Sequence, residues 1–119
     1  MVNDMSDRPM PKKSWGYEEW IVNNEMYCGK RLHFTIAGGK TSLHFHVNKH
    51  ETMYVEDGMF TIVTVDTSIG EHHTHKLCKG QSITIYPNTP HRIIADVKDS
   101  ILVEFSTHHE DSDSYRIVR

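Results

Sequence analysis

The sequence predicts an all-β, single-domain protein. Three observations carry that expectation. Apolar residues recur with period two in short segments, which is the strand period and not the helix period. Turn-forming Gly, Asn, Asp and Pro punctuate those segments about every 6–12 residues. No stretch keeps a 3.6-residue apolar period over the length of an ordinary helix. Strands at this spacing suggest a sandwich or barrel. A chain of 119 residues suits one domain, and neither a linker nor an internal repeat divides it.

The elements follow in order. Residues 1–13 hold Pro9, Pro11, three Met and mixed charge, and are expected to form a mobile or strand-swapped arm. Trp15-Gly16 opens the ordered domain, residues 14–119, and residues 17–22 form a first short strand. Residues 31–36 alternate, with Leu32, Phe34 and Ile36 on one face and Arg31, His33 and Thr35 on the other. Lys30 falls on the apolar parity of that strand; it either reaches the mouth of a cavity or, as expected here, snorkels to water. Residues 41–46 and 51–56 are two further strands. Residues 59–66, rich in Thr, Ile and Val, follow across an Asp57-Gly58 turn that reads as a hairpin. Tyr54 has the opposite parity to Glu51, Met53 and Val55 and should pack outward or at a subunit interface. Residues 67–71 are a loop. Residues 72–78 form a strand with His73 and His75 on one face, read as solvated edge residues. After a Lys79-Gly80 turn come a strand at 82–86 and a loop at 87–90 stiffened by Pro87 and Pro90. A strand at 91–95, a Lys98-Asp99 turn and a core strand at 101–106 follow. The chain closes with a polar loop at 108–114 and an edge strand at 115–118. Trp15 and Trp20 are expected to be packing residues.

Composition excludes several classes. A net charge of −3 provides no broad basic surface, so no nucleic-acid partner is expected. No apolar run of membrane-spanning length occurs, and no membrane partner is expected. Residues 1–11 are polar and lack the apolar segment of a secretory signal, so the expected location is cytoplasmic. Cys28 and Cys78, far apart and outside any C-x-x-C pattern, read as reduced, half-buried thiols. A hydrophobic content of 37% makes a thin core, which a homodimer can supplement.

The chemistry concentrates between Gly38 and Gly58. His44 and His46 are two apart on a strand and share a face, so their imidazoles can meet one ion. Glu51 can add a carboxylate from the next strand, and His91, delivered by the Pro-Asn-Thr-Pro loop, is the candidate for the remaining ligand. A lone H-x-H would read as water-facing histidines; the compatible spacings of Glu51, the bounding glycines and His91 favour a site. Three imidazoles and a carboxylate suit a divalent transition metal (Mn, Fe, Co, Ni, Zn or Cu) and leave positions open at a six-coordinate ion.

The spacing G-x5-H-x-H-x4-E-x6-G over Gly38–Gly58 resembles the first motif of the cupin superfamily. Gly80–His91 keeps the spacing of the second motif, with Tyr86 for the usual Pro and Asn88 for the usual Gly. The resemblance implies a cupin jelly-roll barrel, the double-stranded β-helix, with His44, His46, Glu51 and His91 as metal ligands. Trp15-Gly16, Lys30-Arg31, Ser42-Leu43, Tyr86-Pro87, Pro90-His91-Arg92 and the ending from Glu104-Phe105-Ser106 to Ile117-Val118-Arg119 narrow it. In that order they resemble the cupin domain of type II mannose-6-phosphate isomerases. That family usually has Gln at the place of His44 and His-Trp at the place of Thr52-Met53. The resemblance implies aldose–ketose isomerisation of a sugar or sugar phosphate through an enediol, with Lys30 and Arg92 as candidates to hold a phosphate or enediolate. Strand alternation turns Arg92 away from the metal, which favours a surface or interface ion pair. The alternatives are a non-catalytic metal- or sugar-binding cupin and an Fe- or Ni-dependent cupin dioxygenase.

Overall fold

The structure, a computed structural model, describes residues 2–4 and 7–119. The described residues form eleven strands and one 3₁₀ turn: β1 (Lys12–Lys13), β2 (Gly16–Asn23), β3 (Cys28–Phe34), β4 (Leu43–His46), β5 (Glu51–Asp57), β6 (Met59–Asp66), β7 (Glu71–Cys78), β8 (Ser82–Ile85), β9 (His91–Ala95), β10 (Ser100–Ser106), the turn Asp111–Asp113, and β11 (Ser114–Val118). They form two antiparallel sheets, one in the order β1-β2-β3-β10-β5-β8 and the other β11-β4-β9-β6-β7. The all-β expectation holds. No helix among the described residues is long and apolar enough to cross a membrane.

Period two explains what the sheets bury. In β3, Cys28, Lys30, Leu32 and Phe34 point inward; in β5, Glu51, Met53 and Val55; in β9, His91, Ile93 and Ala95. Trp15 stacks on Phe34 at 4.1 Å between ring centroids, and Phe34 meets Phe60 edge-on at 5.2 Å. With Ile62, Ile85 and Leu102 these residues close one apolar core. Polar residues cap that core at one end. Glu51 and His91 are the first residues of their strands and His46 is the last of β4, so the parity that buries Met53 and Ile93 also aims Glu51 and His91 inward.

Several expectations are corrected. Asp57-Gly58 is not a hairpin turn: β5 and β6 belong to different sheets, and the turn carries the chain from one to the other. The local signal marks a reversal, while the partner is set by which face each strand buries. Gly58 is required there, with φ +82° and a Cβ position that would overlap Ser100. The 67–70 loop does close a hairpin, pairing Asp66 with Glu71. β3 ends at Phe34, leaving Ile36 exposed in a turn. Cys28 and Cys78 are both free thiols, but Cys28 is buried and Cys78 exposed. Of the 1–13 arm, residues 1, 5 and 6 lie outside the described residues. Residues 9–13 run along β2 of the same chain, where the carbonyls of Pro9 and Pro11 accept from the amides of Trp20 and Glu18.

Candidate metal centre

Register brings the histidines together. His44 on β4 lies opposite His91 on β9, and His46 is two residues along the same face. Asn88 helps to set this approach. It takes a left-handed conformation, φ +64°, at the position where the cupin motif usually has Gly, and its amide donates to the His46 carbonyl at 2.6 Å. The 87–90 loop is thereby docked on the end of β4. One ring nitrogen from each of His44, His46 and His91 lies within 4.8 Å of the others.

The far side of each ring is held by a carbonyl. Nδ1 of His44 donates to Ser42 O at 2.9 Å, Nδ1 of His46 to Asp113 O at 3.1 Å, and Nδ1 of His91 to Thr89 O at 2.9 Å. A carbonyl accepts only, so each bond places the proton on Nδ1 and leaves Nε2 with a free lone pair, the tautomer a metal requires. Burial, together with the nearby His91, pushes the His44 imidazole down to about 3. Burial also lowers His46. At His91 burial acts downward, but the Glu51 carboxylate outweighs it and the net shift is upward.

Glu51 is 1% exposed. Its Oε1 lies 2.9 Å from His91 Nε2, and its Oε2 lies 3.9 Å from His46 Nε2 and 3.2 Å from Lys49 Nζ. The 3.9 Å approach is too long and the two shorter ones are misaligned, so both Glu51 oxygens and His91 Nε2 have no hydrogen-bond partner. Buried polar atoms are rarely left unpaired. Two carboxylate oxygens and an imidazole lone pair converging beside two further imidazoles suit a divalent cation. The donor set therefore fits a metal, with His44, His46 and His91 as the tight cluster and Glu51 beside it.

The cluster opens into a cavity of about 880 Å³. Lys30 lines it, 3% exposed, with Nζ 4.3 Å from the Trp20 ring centroid and 3.5 Å from Glu18. The snorkelling expectation is therefore overturned: Trp20 and Glu18 satisfy the ammonium inside the barrel. Arg92 is not brought to the cluster. Its guanidinium turns away from the cluster, as the alternation argued, but donates to Thr41 O at 2.9 Å and Val118 O at 3.3 Å in place of the expected ion pair. Tyr54 faces outward and Trp15 is core. His73 and His75 sit on the exposed edge strand β7, where His75 pairs with Thr64 Oγ1 at 3.0 Å.

Three neighbours went unnoticed in the sequence. Lys49, 4% exposed, places Nζ 2.9 Å from Glu104 and donates to His109 Nδ1 at 3.2 Å, and His109 Nε2 donates to Asp111 at 2.8 Å. Burial raises the Glu104 carboxyl, but Lys49 and Lys30 more than offset it and hold it down at about 2. Asp113 supports the loop that carries Lys49, its carboxylate accepting from the amides of Val47, Asn48 and Lys49. Glu104 had a legible signal: it shares inward parity with Leu102 and is the register partner of Lys30. Lys49 and His109 lie in loops, where no period applies.

Solved structures share the fold. Oxalate decarboxylase from Bacillus subtilis superposes with a TM-score of 0.84 at 18% identity, covering 98% of this chain and 33% of that one. KdgF from Halomonas sp. gives 0.75 at 16% identity, covering 92% of this chain and 94% of that one. CapF from Staphylococcus aureus, a capsular polysaccharide assembling protein, gives 0.83 at 16%, covering 94% and 33%. The chain thus spans about a third of the oxalate decarboxylase and CapF chains. At these identities the likeness shows the fold alone. A search of curated protein sequences returns no match. The family profile described as Cupin matches residues 14–116, and the chain belongs to the cupin family.

Proposed function

We propose that the protein is a metal-dependent cupin enzyme that isomerises or epimerises a sugar or sugar phosphate. The observation that carries this reading is the set of buried donor atoms on Glu51 and His91 that lack a hydrogen-bond partner, beside His44 and His46, at the head of a large polar cavity. When bound, a divalent ion such as Mn, Fe, Co, Ni or Zn would supply Lewis acidity, polarising a sugar carbonyl and acidifying the neighbouring C–H.

His44, His46, His91 and Glu51 would hold the ion. Lys30, from the sheet opposite the three histidines, faces the same cavity with a buried positive charge and stabilises negative charge developing on a substrate oxygen. Arg92 serves the strand edge and not the substrate. The mannose-6-phosphate type is the finer form of this reading. It is supported by the ordered sequence resemblance and by the cationic residues around the cavity.

The test is anaerobic incubation of protein loaded with Mn, Co or Zn with mannose 6-phosphate in heavy water, followed by NMR. Interconversion with fructose 6-phosphate is expected, with deuterium entering at C1 of the ketose and at C2 of the re-formed aldose. Oxygen uptake with an Fe- or Ni-loaded protein and no C2 exchange would move the same ligand set to a dioxygenase. Ligand binding without turnover under any metal would make it a binding module.

A further inference from the structure

The charges around the cavity fall into two tiers. Deep inside, the cations are matched: Lys49 lies against Glu104 and Glu51, and Lys30 against Glu18. Lys13 is also near Glu18, at 3.8 Å. At the mouth, Lys12, Lys40, Arg116 and Arg119 line the same cavity and are exposed. None of these four has a carboxylate partner among the described residues. Among the described residues, Asp111, paired with His109, is the one exposed carboxylate in the same lining. The whole chain carries a net charge of −3, so an excess of positive charge gathered at one opening is not a property of the surface at large.

Arg116 has a defined place in this tier. It sits on β11 directly opposite His44, which sits opposite His91 on β9. Residues opposed in antiparallel strands share a face and lie about 5 Å apart at Cβ. Arg116, His44 and His91 therefore form one row across the second sheet. β11 is the edge strand of that sheet, so no further strand covers Arg116 on its outer side. A guanidinium presents a planar fork that matches the paired oxygens of a phosphate or carboxylate. Lys40, bridged to Ile94 beside β9, and Lys12 on β1 add compact charges around the opening.

We infer that Arg116, with Lys40 and Lys12, forms an anion subsite that binds the phosphate of a phosphorylated sugar whose carbonyl end faces the His44, His46 and His91 cluster. The inference deepens the proposed function and rests on it for the position of the sugar. Three cations without a carboxylate partner among the described residues suit a dianionic phosphate ester better than a single carboxylate. Neither Arg92 nor Lys30 supplies this contact: the first is committed to two backbone carbonyls and the second to Trp20 and Glu18.

The test is calorimetric titration of the metal-loaded full chain with mannose 6-phosphate, mannose, glucuronate and inorganic phosphate, for wild type and Arg116→Gln. Metal content is measured on both. Mannose 6-phosphate is expected to bind at least tenfold more tightly than mannose, with inorganic phosphate competing and added salt weakening it. Loss of a charge-assisted pair in Arg116→Gln should weaken mannose 6-phosphate by roughly 10- to 100-fold. Mannose should be unaffected, and Arg116→Lys should recover part of the loss. Should Arg116→Gln fold poorly, Lys12→Gln/Lys40→Gln decides, with an expected weakening for the phosphate ester alone. Equal binding of mannose and its phosphate overturns the subsite, as does undiminished binding in both variants or a preference for glucuronate. Arg116-dependent phosphate-ester binding without C2 exchange upholds the subsite and removes the isomerase reading. C2 exchange that is indifferent to the phosphate does the reverse.

Discussion

Replacing Lys49 with Met retains most of an unbranched aliphatic chain and deletes a charge held between two buried carboxylates. Lys49 Nζ lies 2.9 Å from Glu104 Oε2 and 3.2 Å from Glu51 Oε2. All three side chains are nearly inaccessible to water, so screening does not erase the pairing. Removing one member of a buried pair leaves an uncompensated charge, at a cost of about 3–5 kcal/mol. Unfolding entropy near 2.1 cal/mol/K per residue gives about 0.25 kcal/mol/K for 119 residues. Lys49→Met should therefore lower Tm by roughly 12–20 °C. The assay is thermal unfolding of metal-free protein at neutral pH, followed by circular dichroism. Lys49→Met/Glu104→Gln should regain part of the loss, because a neutral amide can stand where an orphaned carboxylate cannot. A drop under about 4 °C for Lys49→Met, or a double variant no better than the single, would refute the reasoning.

Acid should weaken the same network. Glu104 has its carboxyl held down at about 2 in the fold against an ordinary 4.5, so between those values the unfolded chain binds the proton more readily. Its contribution is complete above pH 4.5 and fades as pH falls toward 2. Urea midpoints taken from pH 7 to pH 3 should drop more gently below pH 4.5 in Glu104→Gln than in wild type, and equal slopes would count against the pairing. Gly58 and Gly70 offer a matched comparison. Both have positive φ, +82° and +66°, but only at Gly58 would a Cβ meet Ser100, while at Gly70 nothing lies near. Gly70→Ala should cost about 1–2 kcal/mol of left-handed strain, and Gly58→Ala about 2–4 kcal/mol with the added clash. Chemical denaturation of the two variants measures the difference.

Most strands were legible because period-two patterning and burial are the same fact seen twice. Residues 91–95 bury His91, Ile93 and Ala95, as alternation dictates. The placement of His44, His46 and His91 on facing strands followed from spacing together with the family resemblance. What stayed hidden depends on pairing across the molecule. Asp57-Gly58 announces a turn in either a hairpin or a sheet crossing, and only the burial of β5 and β6 against different neighbours separates the two. Lys49 and His109 sit on loops and gain their role from Glu104, which is 55 residues from Lys49 in sequence. Arg116 looks like a solvated edge residue until register sets it opposite His44. Lys30 and Glu104 are the instructive pair: each is a charge on an inward parity, and each is buried because the neighbouring strand β2 or the 47–50 loop brings a partner.

Metal content tests the central claim most directly. Protein made without a histidine tag should hold or take up about one divalent transition-metal ion per chain, measured by inductively coupled plasma mass spectrometry after dialysis. His46→Ala, Glu51→Ala and His91→Ala should each lose most of it. His73→Ala, on the exposed edge strand, should keep it. Failure of the wild type to take up any ion on titration, or loss in His73→Ala alone, would contradict the assignment of His44, His46, Glu51 and His91 as a metal centre.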